Sequence, residues 1–167
     1  YILAPSLEGE LEVLEAAYKN IDKNVDYIEC HATGTDVGDS IELNSLEKFY
    51  EDSAEKPFFG ALKPNIGHTL TTSAIAAVIK VVLSMKNDII PATINVKNPI
   101  SSDKGDFSKE NMVLKNKKWP KKGLVKRAGI SSFGFGGNNS HLVISEYNEA
   151  VHKSDPSKSE QVLEPVS

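Results

Sequence analysis

Lys63-Pro64-Asn65-Ile66-Gly67-His68-Thr69 lies between two apolar runs, residues 58–62 and residues 75–85. The first run has the length of a buried strand. The second reads as a helix apolar on nearly every side and therefore buried. A cation, an amide and an imidazole thus share one tight turn at the edge of a core. Polar groups placed there need partners or perform chemistry. Two further polar clusters also follow strand-like runs: His31-Ala32-Thr33-Gly34-Thr35 and Gly134-Phe135-Gly136-Gly137-Asn138-Asn139. The pattern predicts that the three loops meet.

The composition sets bounds on the rest. With 167 residues, 40% hydrophobic and 25% charged, the chain has ordinary globular make-up and the length of about one domain. A formal net charge of -4 disfavours a nucleic-acid groove or an anionic membrane surface as partner. The basic stretch of Lys117, Lys118, Lys121, Lys122, Lys126 and Arg127 is broken by Trp119-Pro120 and reads as a solvated loop. A single cysteine, Cys30, excludes an internal disulfide framework and suits a reducing, cytoplasmic compartment. The run over 75–85 is too short to span a bilayer, and no signal peptide is read.

Along the chain, Ser6 is positioned to cap a first helix whose apolar face is Leu7, Leu11, Leu14 and Tyr18. Residues 25–30 read as a strand and residues 31–38 as a Gly- and Thr-rich loop. Asp39 with Glu42 has capping-box spacing for a second helix, buried through Ile41, Leu46 and Phe49. The strand over 58–62, the turn over 63–69 and the helix over 73–86 follow. Helices alternating with strands over short links predict a layered α/β domain with a mostly parallel sheet. Residues 91–96 read as a short extended piece, and residues 98–123 mostly as a surface excursion. Residues 127–133 and 141–147 read as a C-terminal antiparallel hairpin around a Gly-Asn turn. Residues 148–167 read as a flexible tail or interdomain linker after a folded part over 1–147.

Several residues in the loops have the chemistry of a site, and each also has a plain structural reading. His31 leaves a strand end, where open α/β sheets bind ligands, and it can donate a hydrogen bond near neutral pH. It can equally satisfy loop backbone; a second histidine, His68, in an equivalent loop shifts the balance towards function. Thr33 and Thr35 can bond an extended amide-bearing ligand or hold their own loop. Lys63 can pair with Glu42 or polarise a substrate oxygen, while Asn65 can simply shape the turn. Gly134, Gly136 and Gly137 allow backbone N–H groups to face an oxyanion, and Phe135 can gate it; a hairpin turn needs the same glycines. Cys30, His31, His68 and His141 lack zinc spacing, so no metal site is expected. Cys30 reads as a half-buried structural thiol rather than a nucleophile.

Taken together, three motifs resemble those of β-ketoacyl synthases, the condensing enzymes of fatty-acid and polyketide synthases, in the thiolase-like fold. Glu29-Cys30-His31-Ala32-Thr33-Gly34-Thr35, continuing to Gly38-Asp39 and Glu42, is similar to the first histidine motif. Lys63-Pro64-Asn65-Ile66-Gly67-His68-Thr69 is similar to the second. The stretch from Ser132 to His141 is similar to the closing glycine loop. The resemblance runs from about Pro5 to Tyr147. It implies the C-terminal half of the fold, with decarboxylative Claisen condensation as the activity of the whole.

On that resemblance His31 and His68 stabilise a malonyl-derived enolate, and Lys63 orients the site. Thr33 and Thr35 bond the pantetheine arm. The Phe135 N–H, between Gly134 and Gly136, forms half of the acyl oxyanion hole. Glu42 and Asn65 support. No cofactor is bound in the domain itself; phosphopantetheine arrives on an acyl carrier protein. The other implied partners are the N-terminal half of the domain and a second copy in a homodimer. The family's nucleophilic cysteine precedes the first histidine motif and has no counterpart here, so the chain alone is expected to be inactive. Ala32 stands where glycine is usual, and Asn138 where threonine is common. The alternative is a non-catalytic synthase-like partner that shapes an acyl tunnel or docks a carrier protein.

Overall fold

The computed structural model describes residues 5–120 and 122–149. Strand β1, Tyr27–Glu29, is the centre of a four-stranded sheet. It pairs in parallel with β2, Phe58–Gly60, on one side and with β5, Arg127–Phe133, on the other. Strand β6, Asn139–Ser145, returns antiparallel along β5, so the expected C-terminal hairpin forms. Two short strands, β3 at Ile89–Ile90 and β4 at Lys117–Lys118, make a separate antiparallel pair.

Helices cover both faces. Helix α1, Leu7–Ala17, and helix α2, Asp36–Phe49, pack on one face with Leu11, Leu14, Ile28, Leu46 and Phe59 between them. The short helix α3, Lys63–Ile66, follows β2. Helix α4, Ser73–Asn87, covers the other face, where Val81 and Met85 meet Tyr27, Ala128 and Ile130. Successive strand residues point to opposite faces. In β1, Ile28 therefore joins the α1/α2 side while Tyr27 joins the α4 side.

The expected elements are present, with boundaries set by local chemistry. Ser6 caps α1 by accepting the Gly9 N–H at 3.3 Å. The second strand ends at Gly60, short of the expected 62, because the Leu62 N–H donates to the Glu29 carboxylate at 2.7 Å rather than to a neighbouring strand. Helix α2 starts at Asp36, before the expected cap. Thr35 holds the cap position, and Asp39 and Glu42 turn back to the preceding loop instead of forming a capping box.

Two expectations about burial are corrected. Helix α4 is buried on one side only: Ile75, Ile79, Val82 and Leu83 form an open apolar stripe. With the 3₁₀ turn Leu70–Thr72 before it, the stretch Leu70–Asn87 is long and apolar enough to cross a membrane by length and composition alone, which corrects the shorter span read from 75–85. Its Lys80, however, is buried against the sheet. The segment over 98–123 is no mere excursion, since Phe107, Val113 and Trp119 enter the core. Asp26 anchors it, accepting from Trp119 Nε1 at 2.8 Å and from the Lys122 N–H at 2.7 Å. Glu47 accepts the Lys104 and Asp106 N–H groups at 2.9 and 3.0 Å.

The basic stretch is not simply a solvated loop either. Lys117–Lys118 is a strand, and Lys126 is largely buried, donating to the Met85 carbonyl at 2.7 Å. Lys121 and residues 150–167 of the tail read over 148–167 lie outside the described residues.

Candidate active site

The parallel strands deliver their C-terminal ends to one rim. There His31 leaves β1, Lys63 opens α3 after β2, and Phe133 closes β5. The first two loops meet at His31, beside the end of β5. Its ring lies 5.8 Å from His68, edge to face, and 5.6 Å from Phe133. Gly67 makes this placement possible: its φ of 85° is open to glycine and turns the chain out of α3 so that His68 faces back.

The loop after β1 is held from beneath by carboxylates. Glu42 accepts the His31 N–H at 2.7 Å on one oxygen and the Ala32 N–H at 2.8 Å on the other. Asp39 accepts the Gly34 N–H at 3.2 Å. Burial pushes the Glu42 acid up to about 8 against the pull of the two amides. Ala32 itself sits at φ 30°, in the left-handed region.

Glu42 therefore makes no direct pair with Lys63, which corrects that expectation; its carboxyl is occupied by the two amides. Lys63 instead donates to the His31 carbonyl and stands 3.3 Å from His31 Nδ1. Asn65 ties α3 to the chain after β3, donating to the Ala92 carbonyl at 3.0 Å and accepting the Ile94 N–H at 3.3 Å. Its role is the shaping one.

Both imidazoles are left in the same state. An ammonium has only donors, so His31 Nδ1 accepts from Lys63 and the ring proton sits on Nε2. The Leu70 N–H donates to His68 Nδ1 at 3.1 Å, which places that ring's proton on Nε2 as well. Burial first, then the charges of Lys63 and His68, lower the His31 pKa to about 4, so it is neutral at pH 7. Burial also lowers Lys63 from its ordinary value, against the pull of Glu42 and Glu29. Two Nε2–H donors from different loops thus sit on rings 5.8 Å apart, an arrangement suited to a carbonyl oxygen that gains charge.

Beside them opens a cavity of about 450 Å³ lined by Cys30, Thr33, Lys63, His68 and Thr93. The Thr33 and Thr35 hydroxyls are 3.3 Å apart and exposed. The carboxylates of Asp39 and Glu42 hold this loop's backbone, so neither threonine is needed for that task. Cys30 is buried at 4% exposure, more than the half-buried thiol expected. Burial, with the charges of Glu42, Glu29 and Asp39, pushes its thiol well above the ordinary value, which suits an inert group rather than a thiolate.

After β5, Gly134 donates to the Asn138 carbonyl at 3.1 Å, and Gly136 and Gly137 take φ 75° and 80° to turn the chain back. The Phe135 side chain, expected as a gate, lies outside the described part of the structure. His141 is not at this site: it is half-buried between Ser131 Oγ, 3.0 Å away, and the Tyr18 hydroxyl, 3.3 Å away. Among the described residues no three His, Cys, Asp or Glu side chains gather as a metal site.

The profile described as "Beta-ketoacyl synthase, C-terminal domain" matches residues 1–97. The chain belongs to the β-ketoacyl synthase family. Relatives extend the likeness through the closing hairpin. Prosolanapyrone synthase of Alternaria solani is 41% identical over 154 residues, 87% of this chain. A polyunsaturated fatty acid synthase protein of Thraustochytrium sp. is 40% identical over 157 residues, also 87% of this chain. The solved "PfaC Keto synthase-Chain length factor" superposes with a TM-score of 0.84 at 43% identity over 89% of this chain, placing the fold in the thiolase-like class. The chain spans 6% of the length of each of the two curated relatives and 16% of that solved chain.

Sequence reasoning missed two side chains beneath this rim. Lys80 of α4 donates to Glu29 at 2.6 Å, a buried ion pair between the helix and the end of β1. Thr93 accepts the Ala61 N–H at 3.1 Å and holds the exit from β2. A lysine within an apolar helix was a visible signal, but its partner lies 51 residues away and no local spacing connects them.

Proposed function

We propose that this chain supplies the decarboxylating half of a condensing active site in a multidomain cytoplasmic synthase. A cysteine of the domain's N-terminal half holds the acyl group as a thioester. Malonyl, carried on the phosphopantetheine of an acyl carrier protein, enters beside His31 and His68. The C–C bond to its carboxylate breaks, carbon dioxide leaves, and the electron pair becomes an enolate. The enolate carbon attacks the acyl thioester. A new C–C bond forms, the acyl C–S bond breaks, and the cysteine leaves as thiolate.

The Nε2–H groups of His31 and His68 donate to the malonyl thioester oxygen, more strongly as it gains charge, which lowers the barrier rather than only binding substrate. Lys63 keeps His31 neutral and oriented. Thr33 and Thr35 bond the amides of the pantetheine arm. The Phe135 N–H, on the turn between Gly134 and Gly136, contributes to the hole that receives the acyl oxygen. Glu42 and Asn65 hold the two histidine loops in place. No cofactor resides in the domain, and the complete enzyme works as a homodimer.

The observation that carries this reading is the pair of imidazoles 5.8 Å apart, each with Nδ1 already occupied. The inert environment of Cys30 supports a nucleophile supplied from outside this chain, and so inactivity of the chain alone. The test is His31→Ala and His68→Ala in the domain with both halves present. Removal of one oxyanion donor is expected to lower malonyl decarboxylation about 10²- to 10³-fold. Unchanged decarboxylation refutes the assignment and leaves the non-catalytic, tunnel-shaping role.

A further inference from the structure

We infer that Glu29 is a positioning residue for the two histidine loops, acting on Lys63 and His68 through the backbone of Leu62; this rests on the condensing role proposed above. Glu29 is the last residue of β1, two before His31, and its side chain is 1% exposed. Its two oxygens have separate tasks. Oε2 takes Lys80 Nζ at 2.6 Å and the Tyr27 hydroxyl at 2.8 Å. Lys80 also donates to that hydroxyl at 3.0 Å, so the three polar groups lock one another. Oε1 is left for the Leu62 N–H at 2.7 Å.

Leu62 is where α3 begins. Its carbonyl accepts the Asn65 N–H at 2.8 Å and the Ile66 N–H at 3.3 Å. Lys63, the next residue, reaches back to the His31 carbonyl and ring. A closed circuit results: Glu29 to Leu62 by hydrogen bond, Leu62 to Lys63 by the chain, Lys63 to His31 by hydrogen bond, and His31 to Glu29 by the chain. The circuit sets the separation of the strand end bearing His31 from the turn bearing Lys63 and His68.

A simpler device would serve if only stability were needed. Buried ion pairs can often be replaced by apolar side chains of similar volume without loss of stability. An apolar trio offers no acceptor to the Leu62 N–H, and that acceptor is what ties α3 to β1. The ion pair in turn holds the carboxylate rigid.

The test uses the complete condensing domain with two triple variants. Tyr27→Phe/Glu29→Leu/Lys80→Met replaces the trio by apolar side chains. Tyr27→Phe/Glu29→Gln/Lys80→Met returns an acceptor to the Leu62 amide without the ion pair. Two half-reactions are read separately: acylation of the nucleophilic cysteine and decarboxylation of malonyl thioester. The apolar triple is expected to lower decarboxylation kcat about tenfold or more while acylation stays within about twofold, since small misplacements of reacting groups cost that much. The glutamine triple is expected to recover most of the loss.

Unchanged decarboxylation in the apolar triple, equal loss in both half-reactions, or no recovery with glutamine each overturns the inference. If the apolar triple does not fold, residue-resolved hydrogen exchange on the unaltered domain decides. Leu62 is expected to be strongly protected, and exchange at Leu62 as fast as at His68 overturns the inference. His31→Ala and His68→Ala run alongside. If they lower decarboxylation and the apolar triple does not, Glu29 has no positioning role and the condensing reading stands. If none of the variants lowers it, the condensing reading fails and the inference with it.

Discussion

The open stripe on α4 makes a quantitative prediction about the N-terminal half proposed as its partner. Ile75, Ile79, Val82 and Leu83 are 62%, 54%, 49% and 51% exposed, and their spacing puts them on one face of the helix. Burying such a side chain completely contributes about 1.5–3 kcal/mol, and each has about half of that still to gain. The stripe therefore holds about 4 kcal/mol, on the order of a thousandfold in association. Ile79→Lys at its centre removes about 1 kcal/mol of this and forces an ammonium into an apolar contact, which costs several kcal/mol more. The assay is assembly of the purified chain with the N-terminal half, followed by sedimentation and by the melting temperature of the joined domain. Ile79→Lys is expected to abolish assembly. Glu12→Lys, on the exposed side of α1, is expected to leave it unchanged. Assembly of Ile79→Lys as tight as that of the unaltered chain refutes α4 as the seam between the halves.

Other expectations concern the loop after β1 and the buried ionisable groups. Ala32→Gly should stabilise the complete domain by about 0.5–1 kcal/mol, because the left-handed conformation costs an L-residue about 1–2 kcal/mol and glycine's extra unfolded freedom returns part of that. The urea midpoint of unfolding reads it, and a lower midpoint refutes it. Stability should also pass through a maximum near pH 6. His31 and His141 are both lowered from 6.5 to about 4, so the folded state binds fewer protons than the unfolded one between those values, and stability is lost as pH falls through that window. Glu10 and Glu42 are raised from 4.5 to about 7 and about 8, so the folded state binds more protons there, and stability is lost as pH rises through that window. Melting temperatures from acid to mildly alkaline pH check this, and Glu42→Gln should flatten the alkaline side; a melting temperature that climbs steadily through pH 8 refutes it.

What was legible in the sequence is what depends on neighbours in the chain. The apolar run of β1, the alternation in β5, the Ser6 cap and the glycine turn between β5 and β6 are local signals, and these elements form. His31 and His68 come together because each follows a strand, and parallel strands deliver their ends to one rim. What failed was long-range. Glu42 has capping-box spacing, yet the His31 and Ala32 amides outcompete a helix terminus for its carboxyl. Trp119 resembles part of a surface loop because its partner, Asp26, lies 93 residues earlier. Helix α4 reads as buried on all sides because an apolar surface has one composition whether it faces its own core or another polypeptide.

That last ambiguity bears directly on function. Cys30 stands beside His31 in the chain, and a nucleophile next to an imidazole would be the simplest reading of the pair. The strand geometry denies it, sending Cys30 into the core among Ile28, Leu43 and Phe59 while His31 goes to the rim. Burial and three carboxylates push its thiol up, which disfavours the thiolate that would attack a thioester. The rim histidines are arranged differently: each has Nδ1 occupied and Nε2–H to donate, and His68 lines a cavity. They can stabilise developing negative charge but cannot hold an acyl group. The condensing role proposed for this site calls for a nucleophile from elsewhere, just as a helix with an apolar stripe in water calls for a covering surface. On that proposal one occupant, a half-domain carrying the cysteine and seated on α4, meets both needs.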